Sequence, residues 1–350
     1  MGRFTDFLRR ERLYLLLLIF IAIFTAVVIS TPSSDDPAAK KPAGISRAAA
    51  AADMDAEREA VEKAFIQNRH LAIVFGLVTF LIMALFLLGV TLDTILIISR
   101  SAGQEHAVKT SGRMNVPWSM LDVAKFAILF VFFSYVLLLV EASLARMLPV
   151  FKEDNFRIIF NTSIMDIVAV TLILYFTVWQ YKGKFASLGL TFKNFARNVY
   201  YGIIGYIAFI PILVGIIAVI AVTVNITKYT IPRQEVVEIF LKERNATFLL
   251  YTSIFAAIAG PIIEEIFFRG FMYTAVKKYL GVFWAMLITA ALFALLHAHM
   301  VGFLPILALG MLLAYLYEKT GTLISSMTVH VIHNLGMVFL VFLVKQLGVY

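Results

Sequence analysis

The stretch Pro261-Ile-Ile-Glu264-Glu265-Ile-Phe-Phe-Arg269-Gly270 decides how this chain is read, because it sets two carboxylates and a guanidinium inside an apolar run. Nineteen uncharged residues, Asn245 to Ile263, lead into it, and a mostly apolar Phe271 to Val276 leads out. Each charge near a bilayer centre costs roughly 2.5–3.5 kcal/mol on insertion scales. A segment that served only as an anchor would avoid that cost. Glu265 and Arg269 are four apart, share a helix face and are expected to form an internal ion pair. Glu264 is rotated by about 100° from Glu265 in a helix of 3.6 residues per turn, so it points elsewhere and is left free to act.

The composition agrees that the solvent is lipid. Apolar residues make up 61% of the 350, charged residues 15%, and mean hydropathy is +0.89. A soluble domain carries roughly 25% charged residues, so the chain reads as an all-α polytopic membrane protein. The net charge of +8 suits anionic head groups, and without a clustered basic patch no nucleic-acid partner is expected. With no cysteine there is no disulfide framework, no thiolate nucleophile and no cysteine metal site.

About nine spans follow from the apolar runs. Arg3, Arg9, Arg10 and Arg12 precede Leu13 to Ser30, a transmembrane anchor (domain 1–30) whose basic leading side puts the N-terminus in the cytoplasm. A cleaved signal peptide is the rival reading, but Thr25-Ala-Val-Val-Ile-Ser30 lacks a small-x-small exit. Residues 31–70 form a charge-balanced extramembrane loop with a helix candidate at Ala48 to Phe65. Residues 71–244 hold the next spans, at Leu71–Leu92, around Phe126–Val140, within Ile158–Tyr181 and at Asn198–Thr227, the last kinked at Pro211. Asp93, Asp122, Lys125, Glu141 and Asp166 read as span boundaries that snorkel. Two short interfacial helices are expected, one through Phe185, Leu188, Leu190, Phe192 and Phe195, the other within Arg233–Arg244. Residues 245–345 form a helical core of four spans, which end at Lys277-Lys278, at His297, at Tyr317 and at Val344. The localisation expected is a bacterial-type plasma membrane, crossed many times.

That core collects Glu264, Glu265, Arg269, His297, His330 and Asn334, with Phe293 four residues before His297 and Asn334 four after His330. A carboxylate desolvated in such a cavity becomes a general base for water near neutral pH. A histidine can share its proton, and a His/Asn pair can hydrogen-bond a carbonyl that becomes an oxyanion. Such a set suits amide hydrolysis. His299 reads as a loop residue, His333 as packing, and His70 and His106 as solvated loop-edge residues.

Glu264-Glu265-x-x-x-Arg269, Phe293-x-x-x-His297 and His330-x-x-x-Asn334, in that order, resemble the three motifs of the CPBP family, the CAAX-protease and bacteriocin-processing (Abi) membrane proteins. Pro261, Phe268-Arg269-Gly270 and Tyr317-Glu-Lys-Thr-Gly-Thr-Leu323 add to the likeness, which covers about the last hundred residues. The resemblance implies a glutamate-dependent intramembrane endopeptidase. It assigns water activation to Glu264 with His297, oxyanion stabilisation to His330 with Asn334, and site shaping to Glu265 and Arg269, with Phe293 beside them. The substrate implied is a membrane-anchored or lipidated peptide or protein. No cofactor is expected. Zinc held by Glu264, His297 and His330 is the disfavoured variant, since no His-Glu-x-x-His helix is present and Asn334 is a poor ligand. A proton-coupled transporter and a non-proteolytic immunity or scaffold protein are the readings from other classes.

Overall fold

A computed structural model describes residues 6, 9–30, 59, 61–102, 116–229 and 235–347. Most of the helix candidate at 48–65, and His106, lie outside the described residues. The described chain is all-α, with no strand among the described residues. In chain order its long helices are α1 (Arg12–Ser30), α2 (Arg69–Ser101), α3 (Met120–Met147), α4 (Asp154–Leu174), α5 (Phe195–Thr227), α6 (Glu235–Lys242), α7 (Ala246–Leu296), α8 (Phe303–Thr320) and α9 (Leu323–Lys345).

Seven of these are long and apolar enough to cross a bilayer, and Arg12–Val27 is a shorter apolar helix. The expectation of about nine spans and this count of seven part at two places. The 51-residue α7 breaks at Gly281, whose φ of 78° and ψ of 178° no helix contains, so this one long element holds two spans. The other place is α1, an apolar helix of 19 residues of which the stretch Arg12–Val27 is counted as a shorter apolar helix. Pro211 lies within α5, which runs unbroken from Phe195 to Thr227.

The chain separates into two compact units. One, residues 1–67 with 121–173, holds α1, α3 and most of α4. Aromatic contacts join α1 to α3, with Phe20 and Phe132 centroids 5.4 Å apart and the Thr25 and Tyr135 hydroxyls 2.6 Å apart. Glu11 pairs with Lys125 at 2.8 Å, both side chains nearly buried. Glu141, on α3, accepts hydrogen bonds from Arg157 and from Asn161 Nδ2 (2.7 Å), both on α4. Lys125 and Glu141 therefore do not snorkel, and Asp122, in the first turn of α3, is buried as well. Their neighbours come from other helices, which no single-helix pattern reveals.

The second unit, residues 68–120 with 174–348, holds α2 and α5 to α9. Helix α5 packs on α2, α8 and α9. Phe209, Leu309, Leu313, Leu316 and Val329 form a buried cluster among α5, α8 and α9. The connector from α4 to α5 is bound to one end of this unit. The Tyr317 hydroxyl donates to Leu188 O (3.1 Å), and Leu323 N donates to Gly189 O (2.9 Å). The expected interfacial helix there shrinks to a single 3₁₀ turn, Phe185–Leu188, because Leu188 is drawn into the core while Phe185, Phe192 and Phe195 stay exposed. The second expected interfacial helix is α6. Its Phe240 is buried edge-on against Phe342, and Lys345 Nζ donates to the carbonyls of Phe240 and Glu243.

Candidate active site

The local backbone of α7 sets the site. Two wide π turns, Phe255–Ala259 and Ile266–Tyr273, flank a short α segment, Gly260–Glu265, that carries both glutamates. Such widened turns recur at functional positions. The first has a cause in the sequence. Gly260 N donates five residues back, to Phe255 O, and Pro261 has no N–H to give. The carbonyl of Ala256 is thus offered no backbone donor by either residue. Asn334 supplies one from α9, its Nδ2 donating to Ala256 O at 2.9 Å.

Glu265 is fully buried and pairs with Arg269 as the four-residue spacing predicts, Nη1 to Oε1 at 2.7 Å. Arg269 is buried too, lies over the Phe293 ring at 4.7 Å, and donates from Nη2 to Gly310 O at 3.3 Å. Close approach of α7 and α8 makes that last contact possible: a Cβ on Gly310 would stand 2.9 Å from the Ala290 Cβ.

His330 stands between the two acids. Its Nδ1 is 3.0 Å from Glu265 Oε1, and its Nε2 is 3.6 Å from Glu264 Oε2. The glutamates therefore address opposite edges of one imidazole, so Glu264 is not directed to an unrelated place. Glu265 is a carboxylate partnered by Arg269 and can only accept, which puts a proton on His330 Nδ1. The side chain of Glu264 is 38% exposed, while that of Glu265 is at 0%. One acid is built into the protein and the other faces outward.

His297 ends α7, and its Nδ1 lies 2.7 Å from Phe293 O. A carbonyl only accepts, so Nδ1 carries a proton, and in the neutral ring Nε2 is the acceptor. Phe293 is edge-on to both imidazoles, with centroids 4.6 Å from His297 and 5.5 Å from His330. The structure thus brings Glu264, Glu265, Arg269, Phe293 and His330 into one contiguous cluster, with His297 joined to it through Phe293. Among the described residues, no hydrogen bond links His297 or Asn334 to either glutamate. Nor, among the described residues, are three or more His, Asp or Glu side chains gathered as a metal-ligand group.

Two participants were missed from the sequence. Tyr206, on α5, places its hydroxyl 2.9 Å from His333 Nδ1, one turn from His330. The carbonyl of Ala256 is the other, and Pro261 was the available signal. His299 accepts from Gly302 N at 2.9 Å and closes the turn before α8, as suits a loop residue.

Residues 246–336 match the family model "Type II CAAX prenyl endopeptidase Rce1-like". Among curated proteins, the Bacillus subtilis (strain 168) protein named "Putative membrane peptidase YdiL" is 33% identical over 81 residues, 23% of this chain. The chain spans about a third (33%) of that relative's length. No solved structure matches the chain. Both π turns, both glutamates, Arg269, His297, His330 and Asn334 fall inside the matched residues, and over that stretch this multi-pass membrane chain is similar to the Rce1-like type II CAAX prenyl endopeptidases.

Proposed function

We propose that this protein is an intramembrane endopeptidase that hydrolyses a peptide bond of a membrane-anchored or lipidated substrate by glutamate-activated water. The observation that carries the reading is the pair of unlike acids on either side of His330, inside the stretch that resembles CAAX endopeptidases. In this reading Glu264 takes a proton from water as oxygen attacks the scissile carbonyl carbon. His297 Nε2, left basic by the Nδ1 bond to Phe293 O, shares that proton. Protonated at both nitrogens, His330 donates from Nε2 to the developing oxyanion, and the remaining N–H of Asn334 is a second donor. The tetrahedral species collapses with C–N cleavage, and the held proton passes to the leaving amine.

Glu265 and Arg269 position His330: the salt bridge keeps Glu265 charged, and Glu265 holds the ring by Nδ1. The reading includes a metal-free site, because water activation is assigned to side chains alone.

The test is cleavage of synthetic prenylated C-terminal peptides, their unprenylated counterparts and leader-type peptides by the purified full chain in detergent, followed by mass spectrometry. We expect cut products that persist in chelator and vanish with Glu264→Gln. Cleavage by Glu264→Gln at the wild-type rate overturns the assignment, and loss of cleavage in chelator overturns the metal-free part of it.

A further inference from the structure

The connector between α4 and α5 has two unlike faces. One is bound to the core that carries the site. Leu188 and Gly189 bond Tyr317 and Leu323 through their carbonyls, Thr322 Oγ1 donates to Thr191 O at 3.3 Å, and Leu188 is 1% exposed. Leu188 also lies on Gly270, where a Cβ would stand 2.9 Å from its carbonyl oxygen. Gly270 follows Arg269 within the second π turn.

The other face is open. Lys182, Lys184, Lys193 and Arg197 are all exposed, and residues 182–197 contain no acid. Among the described residues none of the four is in a salt bridge. Phe192 and Phe195 stand between the cations at 81% and 49% exposure, their centroids 6.2 Å apart. The backbone is bent to this shape at Lys182 (φ 52°) and Asn194 (φ 56°), left-handed positions that non-glycine residues seldom adopt. Trp179 and Tyr200 flank the segment at 72% and 58% exposure, the residues that favour the head-group level of a bilayer. Candidate spans lie on both sides of it, so it sits where a chain leaves lipid and re-enters.

We infer that residues 182–197 form a binding site for the anionic head groups of phospholipids, with Phe192 and Phe195 entering the acyl boundary and the four cations taking the phosphates. The chemistry fits: cations without acids give attraction, and exposed phenyl rings between them give a place in lipid that a soluble polyanion would not use. Because the opposite face of the same segment rests on Gly270, Tyr317 and Leu323, a bound lipid bears on the helix that carries Arg269. A signal for insertion orientation alone would leave the folded protein indifferent to head-group charge.

The experiment uses the purified full chain in detergent and reads lipid retention by native mass spectrometry. Short-chain phosphatidylglycerol, phosphatidylcholine and inorganic phosphate are the three probes. We expect retention of phosphatidylglycerol over phosphatidylcholine and no retention of phosphate. Each neutralisation should weaken retention by about five-fold, from roughly one basic residue's attraction to an anionic surface. The pairs K182Q/K184Q and K193Q/R197Q are tested separately, so that misfolding of one leaves the other informative, and R197K should retain lipid. Equal retention of both lipids, unchanged preference in both paired variants, or phosphate binding as strong as lipid binding each overturns the inference. No readout depends on peptide cleavage, so failure of the proposed activity leaves this result standing and the converse.

Discussion

Both units of the protein bury a glutamate beside an arginine and a third polar side chain, and the difference between the two clusters is instructive. In the first, Glu141 takes hydrogen bonds from Arg157 and Asn161, and the arginine remains 44% exposed. The cluster joins two helices across one 3₁₀ turn, Pro149–Lys152, and its second acid, Asp154, lies 3.3 Å from Arg157 Nη1 on the same helix, its side chain 85% exposed. In the second, Glu265 takes Arg269 and His330, both almost wholly buried, and the far edge of the histidine meets a second acid. A buried ion pair by itself indicates how helices are held together. What the second cluster adds is a half-exposed carboxylate set against a buried histidine, an arrangement the first lacks among the described residues.

Removing that additional acid has the largest expected effect. Glu264→Gln should lower cleavage by about 10²–10⁴-fold, the usual contribution of a general base, while unfolding in detergent is unchanged. A variant that unfolds early instead would put Glu264 in the same class as Glu141 and erase the contrast.

Stability should separate the two buried acids next. Glu265→Ala leaves Arg269 unpaired with a side chain 1% exposed, a loss of about 3–5 kcal/mol. Glu141→Ala should cost only about 1–2 kcal/mol, because the half-exposed Arg157 can turn toward head groups and water. Thermal unfolding midpoints of the two variants in one detergent measure the order, and equal shifts would remove the distinction.

A smaller effect tests whether Asn334 has two duties. Asn334→Ala orphans the carbonyl of Ala256 and should cost about 1–3 kcal/mol, with loss of cleavage beside it. Adding Pro261→Ala returns a backbone N–H to that turn. The double variant should recover stability and not cleavage, and recovery of both would reduce Asn334 to a structural residue. Smallest is Tyr206→Phe, which removes the bond to His333 and should cost about 1 kcal/mol with cleavage nearly intact.

Some of this was legible in the sequence for plain physical reasons. Long uncharged runs can only be lipid spans, so the all-α polytopic fold followed from them. The Glu265–Arg269 pair followed from helical spacing, since both partners lie on one element. What failed depends on other elements. His330 reaches Glu265 across 65 positions, and Glu141 meets its partners only after α4 folds back on α3. The donation from Asn334 to Ala256 spans 78 positions and exists because a π turn shifted the local bonding by one residue. Periodicity counts residues along a helix and carries no information about such shifts. Asp122 does stand in the first turn of α3, but the expected snorkelling of Asp122, Lys125 and Glu141 failed on the same ground, as a charge is inexpensive to bury only when a neighbour outside the pattern meets it.

The backbone break at Gly281 has a consequence for anyone comparing or redesigning this protein. A Cβ at that position would meet nothing within 4 Å, so the obstacle to replacing the glycine is its dihedral angle and not crowding. Angular bookkeeping from Glu264 along the rod to His297 resets there, and no helical wheel drawn through the 51 residues assigns them to one side. Inserting or deleting a residue next to this joint should therefore disturb the distal half far less than the same change one turn inside either arm.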